Sequence, residues 1–188
     1  MNVRTTVEKN PDGYQVEYGY FDPHPDFLER LLRDLFENHW KEITFGPCIQ
    51  GAVFEIKAVG PPRHIGMLDG YLTVDFGDWH FHLCIGPHRG TPKNPTPRQL
   101  ARWRQVSRAA FFRYLNREGA PTAWGIRLWN GKGEQMISFF LPNPYHGEDG
   151  GFGPPDWSKL ALWNRLRETH LGLPPHGPGP ETAKDPHE

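Results

Sequence analysis

Between Ile43 and Gly86, turn residues interrupt every stretch before it grows longer than a strand. Strands are predicted near Ala52–Val59, His64–Leu68, Tyr71–Phe76 and Trp79–Ile85, separated by Gly60-Pro61-Pro62, Asp69-Gly70 and Gly77-Asp78. Asp-Gly between two β-type runs signals a hairpin, because a type I′ turn needs positive φ at both central residues. Parallel neighbours would need a crossover of about a dozen residues or more, and these links are far too short. The region is therefore an antiparallel meander, and a doubly wound parallel sheet is excluded.

The flanking segments complete an α+β pattern. Val3–Glu8 and Tyr14–Tyr20 read as strands joined by the turn Asn10-Pro11-Asp12-Gly13. Pro25 and Asp26 open a helix whose apolar residues Leu28, Leu31, Leu32, Leu35 and Phe36 follow helical spacing, ending near His39. A second helix is predicted from Pro97 to Glu118, with Thr96 as N-cap, Gly119 just past its end, and a stripe of Leu100, Trp103, Ala110, Phe111 and Tyr114. Thr122–Trp129 and Glu134–Leu141 form a hairpin about Asn130-Gly131-Lys132-Gly133, and Asp156 caps a last helix through Leu160, Trp163 and Leu166. The expected architecture is one α+β domain over 1–173, with a mainly antiparallel sheet of roughly five to seven strands and about three helices packed on it. From Pro174 the chain has little to bury, so 174–188 is expected to be a disordered Pro/Gly-rich tail.

Composition removes several classes. The formal net charge is −1 and charged residues make up 23%, so global charge argues for neither a nucleic-acid partner nor an anionic membrane. No apolar run approaches the ~18 residues of a membrane span. Met1 to Thr6 lack the apolar stretch of an export signal, and two cysteines cannot build a disulfide framework; a cytoplasmic protein with reduced thiols is expected.

One strand carries chemistry. In Trp79–Ile85 the residues Trp79, Phe81, Leu83 and Ile85 fall on one face, and His80, His82 and Cys84 on the other, with His88 in the following turn. Open sheet faces usually carry Thr, Lys, Glu or Ser and seldom choose Cys. Imidazoles at i and i+2 lie about 6.8 Å apart at Cα, close enough to share one ion. Cys84 is twice as far from His80, so other ligands would complete the set. Cys48 and His88 are candidates, with His64 also available and Asp75 as ligand or outer carboxylate. A mixed nitrogen–sulfur set points to Zn or Fe, with Cu and Co also possible, rather than Mg or Ca. A thiolate at Cys84 activated by His82 or His88 is another reading, and an uncovered sheet face with no chemistry a third.

The run His80-Phe81-His82-Leu83-Cys84-Ile85-Gly86 also resembles the histidine-triad motif of nucleotide hydrolases and transferases. The resemblance implies His82 as the nucleophile toward an α-phosphate, with Cys84 standing where that family has a third histidine. The segments Phe45-Gly46-Pro47-Cys48, Trp79–Gly86 and Asn130–Glu134 resemble those of an uncharacterised bacterial family, a resemblance that implies no chemistry.

The predicted second helix is rich in arginine: Arg98, Arg102, Arg104, Arg108, Arg113 and Arg117 face one acid, Glu118. Either these are solvated and pair with acids of the first helix, or Arg98 and Arg102, with Arg89 and Arg127, hold a small anionic ligand beside the histidine strand.

Overall fold

The computed structural model describes residues 3–9, 13–49, 51–147 and 151–176. In chain order the strands and helices are β1 (Arg4–Lys9), β2 (Gln15–Phe21), α1 (Pro25–Asn38), β3 (Thr44–Ile49), β4 (Ala52–Val53), β5 (His64–Leu68), β6 (Tyr71–Asp75) and β7 (His80–Cys84). They continue with β8 (Gly90–Thr91), β9 (Asn94–Pro95), α2 (Arg98–Arg104), β10 (Val106–Leu115), β11 (Pro121–Asn130), β12 (Gln135–Phe140) and α3 (Ala161–Leu171). The fold is α+β and mostly antiparallel sheet. It resolves into two compact units, one of 1–21, 110–126 and 140–188, the other of 22–109 and 127–139.

In the first unit β1 and β2 pair antiparallel, and β2, β10 and β11 are successive neighbours. The turn expected at Asn10-Pro11-Asp12 lies outside the described residues. Phe111 is fixed by rings on either side, Phe21 at 5.8 Å and Trp163 at 5.5 Å between centroids. Arg113 on β10 grips Glu17 on β2 with two nitrogens, at 2.7–3.0 Å, in a fork that matches the carboxylate. Asp156 caps as expected, its side chain accepting from Ser158 N–H, and a short 3-10 turn over Trp157–Leu160 leads into α3.

Pro174, Pro175 and His176, expected in the tail, are held against α3. His176 N–H donates to Asn164 Oδ1, Asn164 Nδ2 to His176 O, and Arg167 to Pro174 O. The remainder of the expected tail, 177–188, lies outside the described residues. Burial, with Arg113 and Arg167 nearby, pushes the His176 imidazole down to about 4 from 6.5. The released ring takes up a proton near 6.5 and the docked ring only near 4. Docking is therefore fully favoured above about pH 6.5 and weakens as pH falls toward 4. Hydrogen exchange of the His176 amide, corrected for intrinsic rate, should accelerate between pH 7.5 and 5 and lose that acceleration in His176→Phe. A pH-independent amide would show the docking to be uncoupled from the imidazole.

The second unit is built on α1. Phe27, Leu28, Leu31, Leu32, Leu35 and Phe36 are all buried, which is the amphipathic face predicted from spacing. Phe36 lies within 6.2 Å, centroid to centroid, of Phe45, Phe76, Phe81 and Phe139. The three-stranded sheet β5-β6-β7 is the predicted meander, and Asp69-Gly70 makes its tight turn with φ of 45° and 82°. Two departures from expectation concern β4 and the second helix. The strand expected over Ala52–Val59 keeps only two ladder residues; Gly46 faces the Phe54 carbonyl so closely that a Cβ would sit 1.8 Å from its oxygen. One isolated bridge, Phe45 to Ile56, resumes the pairing.

The helix predicted over Pro97–Glu118 is wrong in its second half. Only Arg98–Arg104 is helical, with Pro97 rather than Thr96 at the N-cap; Val106–Leu115 is strand β10, and Gly119 serves the turn after it. Ala109, Ala110, Phe111 and Phe112 are buried in succession, which marks a strand covered on both faces. Such a run also satisfies helical spacing, so the stripe misled. α2 is anchored at its far end, where Gly131 N–H donates to Trp103 O, Trp103 Nε1 to Glu134, and Lys132 lies 3.4 Å over the indole.

Candidate functional site

β6 and β7 alternate as their sequences dictate. Leu72, Val74, Leu83 and Ile85 are buried on one face, and Trp79 and Phe81 join the ring cluster around Phe45. The opposite face carries three cross-strand rows: His64–Asp75–His80, Gly66–Thr73–His82 and Leu68–Tyr71–Cys84.

His80 and His82 are exposed there, with ring centroids 5.0 Å apart and planes at 71°. Thr73 Oγ1 lies 2.7 Å from His82 Nδ1. Asp75 is the register partner of both His64 and His80, and its Oδ1 accepts from Gly77 N–H at 2.6 Å, which orients the carboxylate. The His64 ring folds back over Gly66, with Nε2 only 2.5 Å from where a Cβ would stand. Among the described residues, no three His, Cys, Asp or Glu side chains already converge as a metal site.

Cys84 shares the face but not the exposure. It is buried, its thiol donates to Gly86 O at 3.6 Å, and burial pushes its pKa up, with Tyr71 and Arg104 opposing. Burial of this kind disfavours the thiolate, the opposite of what an activated nucleophile needs. Cys48 lies in β3, and its side chain is outside the described set.

His88 belongs to a different constellation. Its Nδ1 is 2.8 Å from Asp69 Oδ2 and 3.1 Å from Asp69 O, and its Nε2 is 2.9 Å from Thr96 Oγ1 and 3.3 Å from Arg104 Nη1. Tyr71 meets the ring edge-on at 5.0 Å. Asp69 also accepts Arg89 N–H and Gly90 N–H at 2.8 Å each, and those backbone bonds, Arg89 first, hold its carboxyl below the usual range.

The family of unknown function DUF7676 matches the chain over residues 5–172. The chain belongs to that family. No curated protein matches it.

The arginines separate. Arg98 and Arg102 are exposed on α2, and Arg89 is exposed in the loop after β7. Arg127 is buried on β11, with Nε donating to Ser138 Oγ at 3.0 Å. Arg108 stacks 4.4 Å over Trp129, and Arg113 holds Glu17. Arg104, at the end of α2, reaches His88, and Asp69 of the β5–β6 turn and Thr96 just before α2 are its companions. The Asp-Gly turn was visible in sequence. That its carboxylate closes on His88 was not.

Proposed function

We propose that the exposed face of β5-β6-β7 binds a transition-metal ion through His80 and His82, with Asp75 as the nearest carboxylate. The observation that carries this reading is the pair of exposed imidazoles, 5.0 Å apart, on neighbouring same-face positions. The Thr73 hydroxyl, which can donate or accept, holds Nδ1 of His82 at 2.7 Å, and in the tautomer whose proton is on Nδ1 the Nε2 lone pair is available to a metal. Two imidazoles and a carboxylate form a set suited to Zn or Fe(II). Side-chain rotation must bring Asp75 or His64 to the ion, since only the two imidazoles are already paired. The buried Cys84 stands outside this set, which narrows the ligands read from sequence. It also occupies the third position of the histidine-triad pattern, where its thiol is engaged with Gly86 O, so the metal reading is the stronger of the two. The reading takes the protein as cytoplasmic, with a small ligand rather than a nucleic acid as partner.

Titration of untagged protein with Co(II) and Zn(II) tests the proposal. One ion per chain is expected, with d–d bands of nitrogen and oxygen ligation and no thiolate charge-transfer band. Affinity should fall about 100-fold or more in His80→Ala/His82→Ala, as loss of ligands predicts. Unchanged binding in the double variant would overturn the reading, and a thiolate band would restore Cys48 or Cys84 to the ligand set.

A further inference from the structure

The cluster around His88 is arranged as nucleophile, base and orienting acid. Arginine has only donors, so the Arg104 Nη1 contact requires Nε2 of His88 to accept. Nδ1 therefore carries the proton, and two acceptors meet it, the carboxylate and the carbonyl of Asp69. The one Nε2 lone pair is shared between two donors, Arg104 at 3.3 Å and the Thr96 hydroxyl at the shorter 2.9 Å, and the shorter contact is the alignment of a hydroxyl nucleophile with its general base. The supports are specific. Asp69 sits at φ 45°, an uncommon conformation for a residue with a side chain, with its carboxylate tied to the Arg89 and Gly90 amides. Thr96 N–H donates to Arg89 O at 2.8 Å, and a Cβ on Gly90 would stand 2.8 Å from Thr96 Oγ1. Thr96 is partly exposed and Arg104 exposed, so the hydroxyl and the positive charge both reach solvent.

We propose that Asp69, His88, Thr96 and Arg104 form an acyl-transfer site for small anionic esters. Thr96 Oγ1 attacks the ester carbonyl as its proton passes to His88 Nε2. The C–O bond to the leaving group breaks, the leaving alkoxide takes that proton, and an acyl-Thr96 ester remains. Water then attacks the acyl carbon as its proton passes to Nε2; the bond from the acyl carbon to Thr96 Oγ1 breaks, Oγ1 takes the proton back from Nε2, and the carboxylic acid leaves with Thr96 restored. Arg104 receives the negative charge of the substrate; Asp69 is a positioning residue that sets the tautomer. The site is independent of His80 and His82, so it persists in chelator and its failure leaves the metal reading untouched.

The test uses the full chain in EDTA with a fluorophosphonate probe, read by intact mass and peptide mapping, and with p-nitrophenyl hydrogen succinate as ester. A single adduct on Thr96 is expected, absent in Thr96→Val and retained in Thr96→Ser. His88→Gln should slow labelling about 100-fold or more, the usual contribution of a general base. In Asp69→Asn, where the backbone carbonyl still accepts from Nδ1–H but the carboxylate charge is gone, labelling should slow and the histidine 15N shifts should report a weaker Nδ1–H bond. Thr96→Val keeps side-chain shape, and its melting temperature controls for folding. A folded wild-type protein with no adduct on Thr96, or ester hydrolysis undiminished in Thr96→Val, overturns the proposal.

Discussion

Replacing Phe36 by alanine should lower the unfolding free energy by about 3–5 kcal/mol, the range for a large aromatic truncated in a core that cannot collapse. Phe36 is 0% exposed and meets four phenylalanine rings drawn from separate parts of the second unit. Those rings are themselves packed on one another: Phe45 stacks on Phe76 at 6.3 Å and on Phe139 at 6.3 Å, and Phe76 stacks on Trp79 at 4.4 Å. Rigid rings packed in this way fill a void poorly, so both the transfer and the cavity contributions are lost. Urea unfolding should show a lower midpoint with an unchanged slope. A loss below about 1 kcal/mol would mean that the rings close over the gap, a far smaller penalty than this class of truncation normally carries.

Gly70→Ala should cost about 2–5 kcal/mol, from two sources that add here. Its φ is +82°, where a Cβ costs roughly 1–2 kcal/mol. The new Cβ would also lie 2.5 Å from Pro87 O and 2.6 Å from Gly86 O, rigid backbone atoms that can yield only by moving the chain, an overpacking cost of about 1–3 kcal/mol. Gly133→Ala supplies the comparison, because its φ is +77° but no atom lies within 4 Å of the added carbon. It should cost only the conformational part. Equal losses in the two variants would show that the Gly86–Pro87 backbone yields freely. Because Ile85 N–H and Gly86 N–H both donate to Gly70 O, the same substitution should also disturb the segment that carries His88.

The parts of the fold legible in sequence are those where one physical signal had no rival. α1 shows a one-sided apolar spacing that no strand would produce, and β5, β6 and β7 are delimited by turns whose residues can do little else. β10 defeated the same reasoning, because Ala109 to Phe112 are apolar without a gap, and a run covered on both faces satisfies a helical period as readily as a strand. The site divides the same way. Alternation correctly placed His80 and His82 together on an open face. It assigns a side but says nothing of what covers that side, so the burial of Cys84 beside Tyr71 was invisible. Asp69, Thr96 and Arg104 meet His88 across separations of 19, 8 and 16 residues, through loops and a short helix whose geometry no periodicity encodes.

The shortness of β4 bears on how this protein behaves when crowded with copies of itself. Val53 and Phe54 are both more than half exposed, and a long border strand carrying them would invite another chain to zip alongside. The regular ladder here stops after two residues, and beyond it, among the described residues, the chain is tied to β3 only by the Phe54 N–H to Pro47 O bond and the Phe45–Ile56 bridge, so a copy would find a short border to align with. Greasy side chains at that border are tolerable because the regular strand beneath them is so short, and lengthening it, rather than adding further apolar residues, is the change that would turn this rim into a nucleus for fibres.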